Sequence, residues 1–193
     1  MRRSSLKLFS FLSEALSTVA LALVIAVIIN LFILQPSNVF GSSMEPTLQE
    51  GDLVVMSKIL NTFDIEPDYE EIVIIDSQVK KKHTLKDDLV FTFKYNKISS
   101  LLFKQIPEDK YWIKRVIGRS GDVIEFKDGR IYRNGELLEE KYIKEEMYTP
   151  NYKVVIPERH IYVLGDNRNH SADSRIIGSV PIENVLGKLI FTL

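Results

Sequence analysis

The chain contains no cysteine, and this absence excludes disulfide scaffolds, cysteine nucleophiles and thiolate metal sites. It also lacks an excess of either charge, since 25 Lys and Arg residues oppose 26 Asp and Glu residues. Aromatic residues make up 10% of the 193 positions. Balanced charge and ample aromatics favour a packed globular body and argue against a disordered or nucleic-acid-binding chain. The length fits one ordinary domain with a short appendage.

One long hydrophobic run is present, from Ala15 to Leu34, and its 20 residues carry no formal charge. A helix of that length covers about 30 Å, the thickness of a bilayer's hydrocarbon core. The run favours a retained transmembrane anchor over a cleaved secretory signal, whose apolar region spans only about 7–15 residues. A buried core helix fits less well, because the run is apolar on every face. Gln35-Pro36 is predicted to end the helix.

The charges beside this run predict its orientation. Arg2, Arg3 and Lys7 precede it, whereas acidic residues follow it until Lys58. The positive-inside tendency therefore predicts a single-pass protein of the cell membrane, with the lipid bilayer as a partner. The predicted parts are a cytoplasmic amino terminus (1–14), a transmembrane anchor (15–34) and an extracytoplasmic domain (35–193).

Short segments rich in Val, Ile, Phe and Tyr follow, bounded by Gly, Asp, Asn or Pro, a pattern typical of β-strands. Asn134-Gly135 predicts a two-residue hairpin, and Asp128-Gly129 marks another turn. No segment after the anchor shows a long helical period. We therefore predict a mostly β domain built on a coiled, barrel-like sheet behind one amino-terminal transmembrane helix. The predicted strands are 52–58, 71–76, 88–94, 111–118, 122–126, 130–133, 152–156, 160–165 and 185–193.

Two polar segments, 61–70 and 77–88, are predicted to be loops. The second contains Lys80–Lys82, a basic run that could contact anionic lipid head groups. A solvated loop is the favoured interpretation of that run.

The stretch "GSSMEPT", residues 41–47, follows soon after the anchor. Gly41 and Pro46 constrain the backbone around Ser43, and Met44 is predicted to be exposed. Ser43 is therefore a candidate nucleophile, although a serine beside glycine is also a common turn residue. A nucleophilic serine needs a base from elsewhere in the chain.

Three histidines could supply that base. His83 lies in a charged loop, which indicates a solvated side chain, and His160 begins a predicted strand. His170 lies near Asp166 and Asp173, so a Ser–His–Asp triad with Ser43 is conceivable. Nothing in the sequence places His170 against that serine.

Lys114 is the alternative base. In the strand "YWIKRVIG", Trp112, Lys114 and Val116 share one face, while Arg115 points to the other. Apolar neighbours would remove water from the amine and lower its pKa from the usual value of about 10.4. The pattern fits equally well an edge-strand lysine that reaches water.

The stretch "GDNRNHSADSR", residues 165–175, concentrates polar side chains in eleven positions. It is either a polar loop with internal turns or an ion-paired scaffold that holds a hydroxyl against the lysine.

Four stretches, in order, resemble the type I signal peptidases, membrane-bound bacterial Ser/Lys endopeptidases. They are "GSSMEPTL", "GDLVVMSK", "YWIKRVIGRSGD" and "LGDNRNHSADSR", and the single anchor resembles the compact form of Gram-positive bacteria. The resemblance implies a mostly β, barrel-like fold and a Ser/Lys dyad. It implies Ser43 as nucleophile and Lys114 as general base, Ser171 as the residue that orients the lysine, and Asp166, Asp173 and Arg175 as residues that hold the site together.

The resemblance also implies a substrate class, namely exported preproteins cleaved after a small-x-small (Ala-x-Ala) motif. Gly41 departs from members that place a Ser or Thr there to bind the oxyanion, so the backbone N–H of Ser43 must contribute. No metal or nucleotide motif is present, and we expect no cofactor, no metal, no nucleic-acid partner and a monomer. Two alternatives stay open: a self-cleaving Ser/Lys protease, and an anchored non-catalytic β-domain that binds a ligand or scaffolds a complex.

Overall fold

The computed structural model describes residues 2–63, 65–81, 84, 86–87 and 110–192. The predicted strand 88–94, His83 and Lys82 lie outside the described residues. The helices are α1 (Arg2–Phe32), α2 (Ile59–Thr62) and α3 (Ser174–Ile177), with 3₁₀ turns at Arg168–His170 and Ile182–Asn184. The strands are β1 (Leu34–Asn38), β2 (Leu53–Ser57), β3 (Ile72–Asp76), β4 (Tyr111–Gly118), β5 (Val123–Lys127), β6 (Arg130–Arg133), β7 (Glu136–Leu137), β8 (Tyr152–Val155), β9 (His160–Leu164), β10 (Val180–Pro181) and β11 (Val185–Thr192).

The amino-terminal run is helical, but helix α1 ends at Phe32, before the predicted stop at Gln35-Pro36. The chain passes directly into strand β1, which pairs with β2 along its whole length. The prediction was wrong about this boundary because the sheet satisfies the backbone groups that a helix would otherwise use. Pro36 is tolerated there because β1 is the edge strand of its sheet.

Within the described residues, no helix combines the length and the hydropathy that a bilayer crossing requires.

The described part of the chain after α1 is mostly β, as predicted. One sheet has the order β1-β2-β11-β3-β4-β9-β10, and a smaller one has the order β7-β6-β5-β8. The neighbouring strands in both sheets pair antiparallel. Bulges interrupt the pairing of β11 with both of its neighbours and of β4 with β9. Each bulge bends its strand and increases the twist, which curls the large sheet.

The hairpin prediction at Asn134-Gly135 is confirmed. Both residues have positive φ, 55° and 87°, and Arg133 pairs with Glu136 across the turn. Asp128-Gly129 makes the same kind of turn between β5 and β6, with φ of 51° and 73°. Two positive φ angles match the right-handed twist of the flanking strands.

Apolar side chains pack on both faces of the large sheet and between the two sheets. The cluster on the face of Val116 also contains Val73, Ile75 and Ile161, with Trp112 packed against it. A second cluster joins the sheets through Ile117, Ile124, Phe126, Ile131, Met147, Ile156, Tyr162 and Leu164.

The register of the large sheet places Lys114 level with the end of α1. Leu34 pairs with Ser57, Ser57 with Lys188, Lys188 with Val73, and Val73 with Lys114. Four strand spacings of about 4.8 Å amount to roughly 19 Å across the sheet. The residue that follows the helix and the candidate base therefore lie in one row across the strands.

Candidate active site

Ser43 lies in a turn between Gly41, which has a left-handed backbone, and Met44, which is buried. Gly41 adopts φ 77°, a left-handed conformation that suits glycine. Met44 is only 2% exposed and packs with Val39, Leu48 and other residues of one core cluster. The prediction of an exposed Met44 is therefore wrong, because the side chain serves as the apolar anchor of the turn.

The loop after β9 holds the backbone of this turn. The Asn167 backbone N–H donates to the Ser43 carbonyl at 3.1 Å, and the Asn167 side-chain amide donates to the Ser42 carbonyl at 3.0 Å. Gly165 lies so close that a Cβ there would come within 2.5 Å of the Ser43 carbonyl oxygen. The close approach requires glycine at 165 and fixes Ser43 against the loop.

Strand β4 brings Lys114 to the serine. The Lys114 Nζ lies 2.7 Å from Ser43 Oγ, and it also donates to the Ile113 carbonyl at 2.9 Å. Lys114 is 3% exposed, and its Nζ lies 5.6 Å from the centroid of the Trp112 ring. The predicted strand face is confirmed, since Trp112 and Val116 belong to the same apolar cluster. An edge-strand lysine that reaches water is excluded, because β4 is a central strand and the amine is buried.

Burial lowers the pKa of the Lys114 amine from 10.5 to about 8, because the charged form loses its water. The negative charges of Asp173 and Asp166 oppose this shift and raise the pKa, whereas the positive charge of Arg175 lowers it further. An amine with a pKa of about 8 is neutral in roughly one molecule in ten at pH 7, whereas at a pKa of 10.5 the neutral share would be about one in three thousand, so the shift favours a general base.

Asp166 is buried and paired with the residue after the lysine. Its two carboxylate oxygens accept hydrogen bonds from the Arg115 guanidinium at 2.8 and 2.6 Å, and Thr47 Oγ1 also donates to Asp166. Arg115 donates further to the Glu70 carbonyl at 2.9 Å. This pair links β4 to the turn that carries Ser43.

Asp173 and Arg175 form the second buried pair. The Arg175 guanidinium donates to both carboxylate oxygens of Asp173 at 2.8 Å, and the backbone N–H of Gly165 donates to the same carboxylate at 3.2 Å. Asp173 also caps α3 by accepting from the Arg175 backbone N–H. Arg175 in addition donates to the Arg168 carbonyl. These bonds hold the two ends of the 165–175 loop together.

Ser171 makes no hydrogen bond to Lys114 among the described residues. Its hydroxyl donates to the Ala172 carbonyl at 3.4 Å, a long and weak bond, and lies against Gly165. Within the described residues, the hydrogen-bond partners of the Lys114 amine are Ser43 and Ile113. The orienting role of Ser171 therefore stays a prediction.

The histidine alternative finds no support from the geometry. In the described part of the chain, the side-chain partner of the Ser43 hydroxyl is Lys114 and not His170. The His160 ring lies 2.7 Å from the Glu158 carbonyl, at the start of β9. His170 lies on the wall of the cleft in front of Ser43.

That cleft has a volume of about 550 Å³ and opens in front of the serine and the lysine. Its walls combine apolar side chains with the backbone of the serine turn. The Ser43 backbone N–H makes no hydrogen bond with any described residue, so it is free to donate to a bound group. The lining residues are Phe40, Gly41, Ser42, Ser43, Glu50, Tyr111, Trp112, Lys114, His170 and Ala172.

Sequence reasoning missed three contributors: Thr47, Arg115 and Asn167. The sequence placed Arg115 only on the strand face away from Lys114. Its position next to the candidate base was a usable signal, because Asp166 of the polar stretch needs a cation when it is buried. Thr47 and Asn167 carried no such signal, since each acts through contacts with distant parts of the chain.

Comparison with known proteins identifies the family. A family model described as signal peptidase, peptidase S26, matches residues 12–193. A probable signal peptidase I-1 of Synechocystis sp. is 30% identical over 186 residues, which cover 95% of this chain and 83% of the relative. Signal peptidase IB of Staphylococcus aureus is 31% identical over 198 residues, covering 93% and 88%. The chain belongs to the signal peptidase family, peptidase S26, and is a serine endopeptidase that removes signal peptides.

Two further matches are less complete. Thylakoidal processing peptidase 1 of Arabidopsis thaliana is 30% identical over 185 residues, and the chain spans about half of that relative, 49% of its length. A crystal structure of a signal peptidase I from Enterococcus faecalis is 26% identical and covers 65% of this chain and 97% of its own, with a TM-score of 0.45.

The buried pair Arg115–Asp166 predicts a large stability effect. Arg115→Met leaves the Asp166 carboxylate, whose side chain is 0% exposed, without its cation, and should lower the free energy of unfolding by about 3–5 kcal/mol. Lys153→Met breaks an exposed pair with Glu125 and should cost about 0–1 kcal/mol. Urea denaturation measures the free energy of unfolding of both variants. Equal losses in the two would contradict a special stabilising role for the buried Arg115–Asp166 pair.

Proposed function

We propose that the chain removes signal peptides from exported preproteins with Ser43 as the nucleophile and Lys114 as the general base. The observation that carries this proposal is the 2.7 Å contact between the serine hydroxyl and a buried amine. Burial supplies the property that a lysine base needs, a pKa lowered to about 8.

The reaction follows from this contact. The neutral amine of Lys114 accepts the hydroxyl proton as Ser43 Oγ attacks the carbonyl carbon of the scissile peptide bond. A tetrahedral oxyanion forms and collapses as the new amino terminus leaves with a proton from the ammonium. Lys114, neutral again, takes a proton from water, whose oxygen attacks the acyl-enzyme; the ammonium then returns that proton to Ser43 Oγ as the signal peptide leaves as a carboxylic acid. Its second hydrogen bond, to the Ile113 carbonyl, helps to aim the lone pair at the serine.

The oxyanion needs a hydrogen-bond donor. We assign this role to the backbone N–H of Ser43, which is unpaired among the described residues, within a turn that Gly41 shapes. One donor of this kind typically lowers the barrier by about 3–4 kcal/mol. Because the turn is fixed by Asn167 and Met44, the donor needs no reorganisation as the charge develops.

The substrate proposal rests on the shape of the cleft and on the family. Apolar side chains of Phe40, Tyr111, Trp112 and Ala172 form part of the walls, beside the polar side chains of Glu50 and His170. Such walls suit small, uncharged side chains of an extended peptide, consistent with a small-x-small cleavage motif. We propose that the peptide binds extended, with its backbone hydrogen-bonded beside the site.

We also propose that α1 anchors the protein in the cell membrane with its amino terminus in the cytoplasm. The uncharged run Ala15 to Leu34 and the basic residues before it support this orientation. Large apolar side chains from Phe11 to Ile29 are exposed along the helix, and lipid would cover them. The row that joins Leu34 to Lys114 would then keep the base at the level where the chain leaves the bilayer.

The dyad predicts that Ser43→Ala and Lys114→Ala each lower the cleavage rate by at least about 10³-fold, because the nucleophile or its base is lost. Cleavage of a purified preprotein with an Ala-x-Ala site measures the loss. Ser179→Ala and Lys153→Met change the same residue types at positions that do not line the cleft and should keep wild-type rates. Full activity in either dyad variant refutes the proposal.

The pH dependence follows from the lowered pKa of Lys114. Above a pH of about 8 the amine is neutral and active, and below it the charged amine cannot accept the serine proton. We expect kcat/KM to fall about tenfold per pH unit below this value and to level off above it. Initial rates between pH 5 and 10 test whether kcat/KM falls as the pH is lowered. A rate that stays flat down to pH 5 would argue against an amine base.

The anchor predicts that the full chain co-floats with lipid vesicles on a density gradient and resists extraction by carbonate. Replacing two central residues of the run, Leu23→Lys and Ile25→Lys, should release the protein into the soluble fraction, because each buried charge costs about 3 kcal/mol in the bilayer. Exposed Leu137→Lys is the matched control and should not change flotation. A wild-type chain that stays soluble would contradict the anchor.

A further inference from the structure

We propose that Glu140 is a positioning residue for signal-peptide cleavage, which acts through Arg168 on the loop that holds the nucleophile. This inference rests on the proposed Ser43/Lys114 mechanism. Glu140 lies between β7 and β8, in a segment that belongs to neither sheet. None of the four motifs of the sequence contains it.

The segment 138–147 crosses from the small sheet to the serine turn, and we call it the strap. Its Lys144 forms an ion pair with Glu45, two residues after the nucleophile, at 2.6 Å. The Lys144 backbone N–H donates to the Asp166 carbonyl, and Met147 packs in the core between the sheets. The strap therefore contacts both chain segments that meet at Ser43.

Glu140 makes the most buried of these contacts. Its carboxylate accepts two hydrogen bonds from the Arg168 guanidinium, at 2.6 and 3.0 Å. The Arg168 side chain is 1% exposed and that of Glu140 is 7% exposed. A two-point ion pair at this depth fixes both side chains, and each is costly to leave without the other.

Arg168 passes this constraint to the nucleophile. Its Nε donates to the Gly165 carbonyl at 3.0 Å, and Gly165 is the residue packed against the Ser43 carbonyl. Asn167, two residues after Gly165, donates its backbone N–H to the same Ser43 carbonyl. Glu140 thus fixes a guanidinium whose remaining hydrogen bond sets the position of the loop beneath the serine.

The same carboxylate reaches the base side of the dyad through Tyr142. The Tyr142 hydroxyl donates to Glu140 at 3.1 Å, and the Arg115 guanidinium lies 4.0 Å from the centroid of the Tyr142 ring. Arg115 follows Lys114 on β4 and is paired with Asp166. One side chain of the strap is therefore connected to the supports of both reacting groups.

The expected consequence is a loss of rate at nearly constant substrate affinity. Glu140 does not line the cleft, so its removal leaves the peptide-binding walls intact. Displacing the Ser43 turn from its attack position by about 1 Å can cost up to about 10²-fold in rate. We expect Glu140→Gln to lower kcat by about 10- to 100-fold and to change KM by less than about threefold.

The experiment uses the full chain in detergent micelles and a preprotein substrate. The rates of Glu140→Gln are normalised to the fraction of folded enzyme, measured by circular dichroism and thermal unfolding. Glu139→Gln is the matched control, because Glu139 is exposed and makes no hydrogen bond or ion pair within the described residues. Should Glu140→Gln fail to fold, Glu140→Asp, which keeps the charge but shortens the reach, is judged by the same criteria.

A drop in kcat per folded molecule with steady KM, absent in Glu139→Gln, supports the positioning role. Unchanged kcat per folded molecule, with only a lower melting temperature, overturns it and leaves Glu140 a structural residue. A loss confined to KM also overturns it. Ser43→Ala, measured in parallel, separates the two proposals: if it stays active, the dyad itself fails, whereas an inactive Ser43→Ala beside a fully active Glu140→Gln refutes only the role of Glu140.

Discussion

The contact between Lys114 Nζ and Ser43 Oγ is the constraint on which the rest of the site depends. A lysine can serve as a base only if it is kept neutral, and a protein achieves this most directly by removing water from the amine. The body of the fold meets that requirement, because β4 lies between β3 and β9 and buries the side chain beneath Trp112. The central position of β4 therefore both packs the sheet and keeps water away from the Lys114 amine.

Burying an amine beside two aspartates creates a conflict, since both carboxylates favour the charged lysine. Each aspartate is paired with one arginine. Arg115 binds Asp166 and Arg175 binds Asp173, and each guanidinium donates two hydrogen bonds to the carboxylate. Each pair lowers the net negative charge near the amine, so the loss of water remains the dominant influence on its pKa. The aspartates can then work as rigid acceptors that shape the loop without holding a proton on the proposed base.

The sequence predicted what depends on local pattern and missed what depends on distant partners. Alternation along β4 correctly placed Lys114 with Trp112 and Val116, and the glycine turns gave the hairpins. The end of α1 was misplaced because Ile33 and Leu34 continue the apolar run past Phe32, whereas pairing with β2 makes the chain a strand from Leu34 onward. Met44 looked exposed because its core neighbours Val54 and Ile72 come from other parts of the chain. The pair Glu140–Arg168 joins two polar loops 28 residues apart, where no periodic pattern exists.

These observations together explain why so small a site needs so much of the chain. A serine turn is intrinsically soft, because Gly41 and exposed neighbours give it little packing of its own. Three contacts fix it: Met44 packs in the core, Asn167 donates to the Ser43 carbonyl, and Thr47 donates to Asp166. Each of these supports belongs to a segment that is itself tied to β4, to β9 or to the strap. A 2.7 Å contact can persist between residues 71 positions apart because packing and hydrogen bonds fix the serine turn against the loop after β9 and against β4.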